Sequence, residues 1–451
     1  MSAEIFEVPP DVTIQLEADS QQSRVINLRS AGRFRFDVAF VGLGYVGLPT
    51  ALAFHAARRQ VLGFDVSSER LAAIEAGRVD LLDSDRERLH RALGEDDFTL
   101  TDDVGSLAEA QAVIIAVPTP VDEYQLPDLA ILRSACASVV ANAVQGQIII
   151  LTSTSYVGST QEMLVAPLAA RGFTIGEDIH VAFSPERIDP GNDRHAHEDV
   201  ARVVGGATPE CARAAMAALG AYVVNLFPVS STEVAEMTKL FENTFRAVNI
   251  ALANELAEIS RALKIDVAEV LTAATTKPFG FMAFMPGPGV GGHCIPCDPH
   301  YLLWQLRRKR LATPIIEQTM QSIASRPLRV VDRVTEVLSL AGHGIKGARV
   351  LVLGVAYKPD VQDVRESPAI EIITGLRALG ATVDFHDPLV EVLRLPGGES
   401  MKSVADPRQY DADLVLVHTL HQCLDLSWLE DAPLILDTSY RLRELPQLFT
   451  L

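Results

Sequence analysis

Phe36-Asp37-Val38-Ala39-Phe40-Val41-Gly42-Leu43-Gly44-Tyr45-Val46-Gly47 is the stretch whose pattern decides the fold. A short apolar run ends in glycines spaced G-x-G-x-x-G. An Ala-rich helical stretch follows from Leu48 to Arg59, and then a second strand, Gln60 to Phe64, ends in Asp65. Strand, glycine turn, helix, strand and acid together describe a dinucleotide-binding unit. Gly42 permits the tight turn, Gly44 lets backbone approach a pyrophosphate, and Gly47 lets helix and strand pack closely, with Tyr45 and Val46 completing the turn. The helix N-terminus offers free N–H groups to phosphates. Asp65 stands where a carboxylate accepts both ribose hydroxyls and repels a 2′-phosphate, so the expected cofactor is NAD rather than NADP. The bland alternative for such glycines is a tight turn with no ligand; the surrounding strands and the acid argue against it.

Working outward, Ala112–Val117 and Gln147–Thr152 are further apolar strands, each ending in small polar residues: Pro118-Thr119-Pro120 and Ser153-Thr154-Ser155. In a parallel sheet those carboxyl ends line the ligand crevice, which makes Thr119 and Thr154 candidate cofactor contacts, with a plain turn or cap role as the alternative. From Ser231 to Leu263 no Pro or Gly occurs, and apolar residues recur at helical steps. The pattern predicts one long helix that bridges two domains or packs in a dimer. Glu236, Lys239 and Asn243 share one face of it, a spacing that a solvated stripe would also give.

Pro286-Gly-Pro-Gly-Val-Gly-Gly-His293-Cys294-Ile-Pro-Cys297-Asp298-Pro-His300 describes a rigid loop that brings backbone close to a ligand. Cys294 is open to three readings: a nucleophile, half of a zinc site, or half of a redox pair. Zinc would need a second pair of similarly spaced ligands, and Cys136, Cys211 and Cys423 are scattered singly. A redox Cys-x-x-Cys opens a helix in a thioredoxin-like unit, which the sequence does not suggest. The nucleophilic thiol is the preferred reading, and no metal is expected.

The chain has 451 residues, too many for one core, and 22% charged residues, an ordinary globular composition. A formal charge of −19 argues against nucleic acid as a partner, because phosphate backbones need a basic stripe. No apolar run reaches the length of a membrane span. Residues 1–36 lack the basic-then-apolar order of a signal peptide and read as a polar extension. Few, isolated cysteines suggest a reduced, cytoplasmic protein.

Seven motifs in order resemble the UDP-glucose/GDP-mannose dehydrogenase family from about Asp37 onward. They are Gly42–Gly47, Val117–Pro120, Ser153–Gly158, Ser184-Pro-Glu-Arg187, Glu236–Asn243, Gly291–Asp298, and Tyr357-Lys-Pro-Asp with Arg365-Glu-Ser-Pro368. The resemblance implies an NAD-dependent oxidation of the C6 hydroxymethyl of a nucleotide sugar to a carboxylate. Cys294 would be the nucleophile, Lys239, Asn243 and Asp298 would surround C6, and Glu186 and Thr154 would serve the base and water steps. Arg70 and Arg365 would be extra cofactor contacts, while Arg187, Gly291 and Lys358 would contact the nucleotide sugar. The residue types suit that chemistry: a thiol traps the aldehyde as a thiohemiacetal, and Lys239 would help form the thiolate. Arg187-Ile-Asp-Pro190-Gly191, His293, and Lys277–Phe281 in place of an arginine resemble the branch acting on UDP-N-acetylhexosamines, with UDP-glucose and dTDP-glucose as alternatives.

Ala348–Gly354, a helix near Ala369–Leu379, and strands at 382–385, 413–417 and 434–437 repeat the strand–helix alternation without a second glycine after Gly354. The expected architecture is α/β: two Rossmann-like doubly wound domains joined by a long central helix. An NAD-binding domain spans 37–228, a central helical dimerisation domain with the cysteine loop spans 229–330, and a nucleotide-sugar-binding domain spans 331–451. A homodimer or larger homo-oligomer is expected, with neither nucleic acid nor membrane as partner. The rival readings are a β-hydroxyacid dehydrogenase, which stops after one hydride and needs no cysteine, and a non-catalytic NAD sensor.

Overall fold

The computed structural model describes residues 33–187, 199–292, 294–443 and 445–451. Most of the expected N-terminal extension, Ile188 to Gly191, and His293 lie outside the described residues.

The first sheet has eight strands: β1 (Phe36–Val41), β2 (Val61–Phe64), β3 (Phe98–Thr101), β4 (Ala110–Ile115), β5 (Ile148–Leu151), β6 (His180–Phe183), β7 (Arg202–Gly206) and β8 (Leu226–Val229). Their order is β3-β2-β1-β4-β5-β6-β7-β8, parallel except where β7 turns antiparallel to β6. The first six positions are the doubly wound order whose switch point, between β1 and β4, binds dinucleotides. Helix Gly47–Ala56 is buried along nearly its whole length, and its many small residues let it lie flat on the sheet.

Ser231 caps the helix Thr232–Leu263 by accepting the Val234 N–H, and Lys264 ends it in the left-handed conformation. Its 32 residues span about 48 Å at 1.5 Å per residue, so it reaches past one domain into the next. It packs against helices Asp298–Arg308 and Pro314–Leu340. The latter runs across the domain boundary expected at 330. Its Val330, Val331, Val334, Val337 and Leu338 are buried in the core of the C-terminal domain, so this helix joins the domains alongside the expected long central one.

The C-terminal domain holds β9 (Arg349–Leu353), β10 (Thr382–His386), a small hairpin of β11 (Val392–Arg394) and β12 (Ser400–Lys402), then β13 (Leu414–Val417), β14 (Ile435–Asp437) and β15 (Leu448–Thr450). Its parallel sheet runs β10-β9-β13-β14-β15, the shorter doubly wound order with a switch point between β9 and β13. Among the described residues, no helix is long and apolar enough to cross a membrane.

Candidate active site

The glycine turn after β1 has the shape a dinucleotide requires. Gly42 sits at φ +93°, and a Cβ there would lie 2.7 Å from the Ala116 carbonyl oxygen. A Cβ on Gly47 would come within 1.9 Å of the Gly42 oxygen, so helix and turn touch only because both positions are glycine. Gly44, by contrast, faces open space within 4 Å. That gap, beside a helix start with no side-chain cap, is room for a pyrophosphate. Asp65 accepts the Leu43 N–H at 2.9 Å and the Ser67 N–H at 3.0 Å, and stays partly exposed. Arg70 donates from Nε to the Leu43 oxygen at 2.9 Å, bracing the same turn. These residues fit NAD.

At the strand ends, the Ser153 hydroxyl accepts the Val117 N–H at 2.8 Å and donates to the Val117 oxygen at 2.8 Å, locking the turns after β4 and β5 together. Thr119 is buried and bonds the Tyr301 hydroxyl, whereas Thr154 is partly exposed.

Cys294 lies on the loop that leads into helix Asp298–Arg308, within electrostatic reach of Lys239 and Arg365. Its side chain is exposed, yet the crowding protein, and next the Asp298 carboxylate, raise its thiol pKa to about 11. Lys239, Arg365 and Arg246 pull the other way. The expected help from Lys239 is therefore present but outweighed, and the resting thiol is neutral. Asp298 is 2% exposed; desolvation lifts its pKa to about 6 against the opposing pull of Lys239 and a hydrogen bond donated by the Asn243 amide. Its N–H returns to the Cys294 oxygen at 2.8 Å. Lys239, Asn243 and Asp298 are all buried, and Lys239 and Asn243 lie one turn apart on the long helix.

Cys297 differs from its neighbour. Its thiol is buried and pushed up to about 12, chiefly by desolvation. Contrary to expectation, the Cys-x-x-Cys pair does lead into a helix, Asp298–Arg308, because Pro299 is tolerated in the first turn.

Glu186, just past β6, pairs with the guanidinium of Arg202, a fully buried residue of β7 that also stands 5.3 Å from the Tyr222 ring centroid. Arg187 pairs with Glu242 of the long helix and donates to the Ala201 oxygen at 2.9 Å, so its guanidinium already has protein partners. Arg202 and Arg246 escaped the sequence reading. Arg246 could have been found by its spacing, three residues past Asn243; nothing local marks Arg202.

The C-terminal domain closes the seam. A Cβ on Gly291 would meet the Glu366 oxygen and Tyr357 Cβ, each at 2.6 Å, and one on Gly292 would strike the Tyr357 ring. The Gly292 N–H donates to the Arg365 oxygen at 3.0 Å. Arg365 binds Asp363 at 2.6 Å, and its guanidinium stacks 4.0 Å over the ring of Tyr45 in the glycine turn. Lys358 is partly exposed beyond β9. At the end of β10, where β2 carries Asp65, Asp387 is sealed by the Val355, Ala356, Leu389 and Val390 N–H groups and by His421, leaving no carboxylate for a ribose.

A dinucleotide turn on one wall of a seam and a thiol on the other define an NAD-dependent oxidoreductase, with a second doubly wound domain left to hold the substrate. Comparison gives the family. Residues 36–223, 233–323 and 351–444 match the NAD binding, central and UDP binding domains of the UDP-glucose/GDP-mannose dehydrogenase family. The UDP-N-acetyl-D-glucosamine 6-dehydrogenase of Pseudomonas aeruginosa is 37% identical over 78% of this chain and 83% of its own. The UDP-N-acetyl-D-mannosamine dehydrogenase of Yersinia pestis is 36% identical over 85% of this chain and 93% of its own. The solved UDP-D-ManNAc dehydrogenase of Pyrococcus horikoshii superposes with a TM-score of 0.83 at 30% identity, covering 92% of this chain and 98% of that one. The chain belongs to the UDP-glucose/GDP-mannose dehydrogenase family and is an NAD-dependent nucleotide-sugar dehydrogenase.

Proposed function

We propose that this enzyme oxidises the C6 hydroxymethyl of a UDP-N-acetylhexosamine to the carboxylate in two steps, reducing two NAD⁺ per sugar. The observation that carries the reading is the cluster at the seam, where Cys294 is coupled to Asp298 and Lys239 and Asn243 donates to Asp298. Bound NAD⁺ supplies the hydride acceptor for each oxidation. Lys239 and Asn243 hold the oxygen on C6 and stabilise its developing negative charge. When the aldehyde forms, Cys294 adds to its carbon and passes its proton to Asp298, which with a pKa of about 6 is ionised at neutral pH and ready to accept it. The thiohemiacetal is oxidised to a thioester. Water, activated by Glu186 with Thr154, then releases the acid and restores the thiol.

Two features support the N-acetylhexosamine. Close relatives carry activity on such sugars, and Lys277-Pro-Phe-Gly-Phe281 stands where the UDP-glucose branch carries an arginine. The exposed apolar side chains of the long helix, Met237, Phe241, Phe245 and Leu252 among them, support a homodimer or larger homo-oligomer. Five unpaired cysteines fit the reducing cytoplasm. Initial rates against a UDP-sugar panel test the substrate. A UDP-N-acetylhexosamine should exceed UDP-glucose in kcat/KM by roughly 10–200-fold, the range that missing or clashing pocket groups give. NADH formed per sugar should be two; one would leave the single-hydride rival standing.

A further inference from the structure

Glu236 lies three residues before Lys239 on the long helix and is 1% exposed. An isolated carboxylate so placed would be costly to bury, but this one is satisfied by four donors from a single neighbouring segment. Oε2 accepts the Gly158 N–H at 2.5 Å; Oε1 accepts the Ser159 hydroxyl at 2.9 Å, the Thr160 N–H at 2.9 Å and the Thr160 hydroxyl at 2.7 Å. Those residues start three positions past Ser155 and lead into the helical segment 161–170, so its N-terminal dipole adds to the attraction. A second clamp acts beside the first. Gln305, from the helix that Asp298 begins, donates to the Val157 oxygen at 2.7 Å and accepts the Val157 N–H at 3.2 Å.

We infer that Glu236 is a positioning residue, fixing the segment that carries Thr154 against the face of the long helix that carries Lys239 and Asn243. The inference rests on the roles proposed above for Thr154 and Lys239. Thr154 belongs to the cofactor domain and Lys239 to the central helix, and the chain between them runs through three more strands. The Glu236 carboxylate ties the two walls together within one helical turn of Lys239. Its oxygens point into the 158–160 turn, so its action on the reaction is through Thr154's placement.

Glu236→Gln in the full-length enzyme turns an amide NH₂ toward a backbone N–H in either orientation, Gly158 on one side or Thr160 on the other, and the segment must shift to relieve it. A displacement of about 1 Å at a reacting centre costs on the order of 100-fold. We expect kcat per reactive Cys294, counted by stoichiometric thiol labelling, to fall roughly 10–100-fold, with KM for NAD⁺ and for the nucleotide sugar each within about twofold of wild type. A purely structural role would lower the number of labelled sites and leave kcat per site alone. Ser159→Ala and Gln305→Ala each remove one tie from an otherwise intact clamp and, folding more readily, should show the same kcat-only loss at about 3–10-fold. An unchanged kcat per site in these variants, or KM for NAD⁺ rising in step with the loss, overturns the inference. Thr154→Ala and Lys239→Ala run alongside. If those two keep full kcat, the proposed roles fail; if they lose it while Glu236→Gln does not, only the positioning role fails.

Discussion

Asp298→Asn should make Cys294 more reactive and the enzyme slower. With a thiol pKa of about 11, only about one Cys294 in a thousand is thiolate at pH 8, against about a quarter for a free cysteine near 8.5. Crowding by protein is the first cause of that elevation and the Asp298 carboxylate the second, while Lys239, Arg365 and Arg246 oppose both. Asparagine keeps the shape of Asp298 and removes its charge, leaving the three cations unopposed. The carboxylate is the second of the two causes that hold the thiol at about 11, so removing its charge lowers the thiol pKa. Iodoacetamide at pH 8 should therefore label the variant about 3–10-fold faster, since alkylation follows the thiolate fraction. Cys294→Ser controls for the site, and buried Cys297 should label in neither protein. Turnover should move the opposite way, by roughly 10²–10⁴-fold, the usual worth of a positioned base. The pH profile supplies a second check. Asp298 accepts a proton only while ionised, so wild-type kcat/KM should fall as pH drops through about 6, and the variant's profile should lack that limb. Labelling that is unchanged or slower in Asp298→Asn, or a variant that retains full turnover, refutes this account of the thiol.

Three further outcomes follow from the cofactor wall. Gly44→Ala should leave the melting temperature within a degree or two yet weaken NAD⁺ binding at least tenfold by calorimetry, because the new methyl enters the open space beside the turn; Gly47→Ala, whose Cβ would meet the Gly42 oxygen at 1.9 Å, should lose the folded cofactor domain itself. Asp65→Ser should narrow the preference for NAD⁺ over NADP⁺ by at least tenfold in kcat/KM, and equal use of both cofactors by the wild type would remove Asp65 from the ribose site. Arg365→Lys should raise KM for NAD⁺ about 3–10-fold, since an ammonium neither stacks flat on Tyr45 nor holds Asp363 with two nitrogens.

What could be read from residues alone was whatever depends on neighbours in the chain. Three glycines and Asp65 mark the turn because its geometry is largely local: Gly42 takes a positive φ, and Gly47 packs on the Gly42 oxygen five residues back. Ser231 marks the start of the long helix because capping is a local bond. The second joining helix, Pro314–Leu340, went unread because Pro327 inside it mimics a break. Glu236, Lys239 and Asn243 show the limit most plainly. Their spacing puts them on one face whether that face meets water or protein, and a solvated stripe would look the same. The structure supplies what the pattern lacks: four donors from a segment some 76 positions away, which turn an ordinary surface acid into a buried one. The same holds for the thiol. Lys239 beside Cys294 suggested a lowered pKa, and charge proximity alone would give it; desolvation by the crowding protein and Asp298, visible only in three dimensions, reverse the sign.

That reversal bears on why the cysteine loop is built against the C-terminal domain. A thiolate standing ready in an exposed position would be alkylated or oxidised between turnovers. On the proposed mechanism, a neutral thiol with a carboxylate of pKa about 6 beside it reacts when an electrophilic carbon arrives and the proton passes to Asp298 as the bond forms. Gly291 and Gly292 press on Tyr357 and Glu366, and Gly292 bonds the oxygen of Arg365, whose guanidinium stacks on Tyr45 of the cofactor turn. The thiol loop, the cofactor turn and the domain that receives the nucleotide thus share one set of contacts. On the proposed reading, in which Lys358 contacts the nucleotide and Tyr45 the cofactor, both molecules sit beside residues that touch the backbone carrying Cys294, Tyr357 through the two glycines and Arg365 through its bond to Gly292.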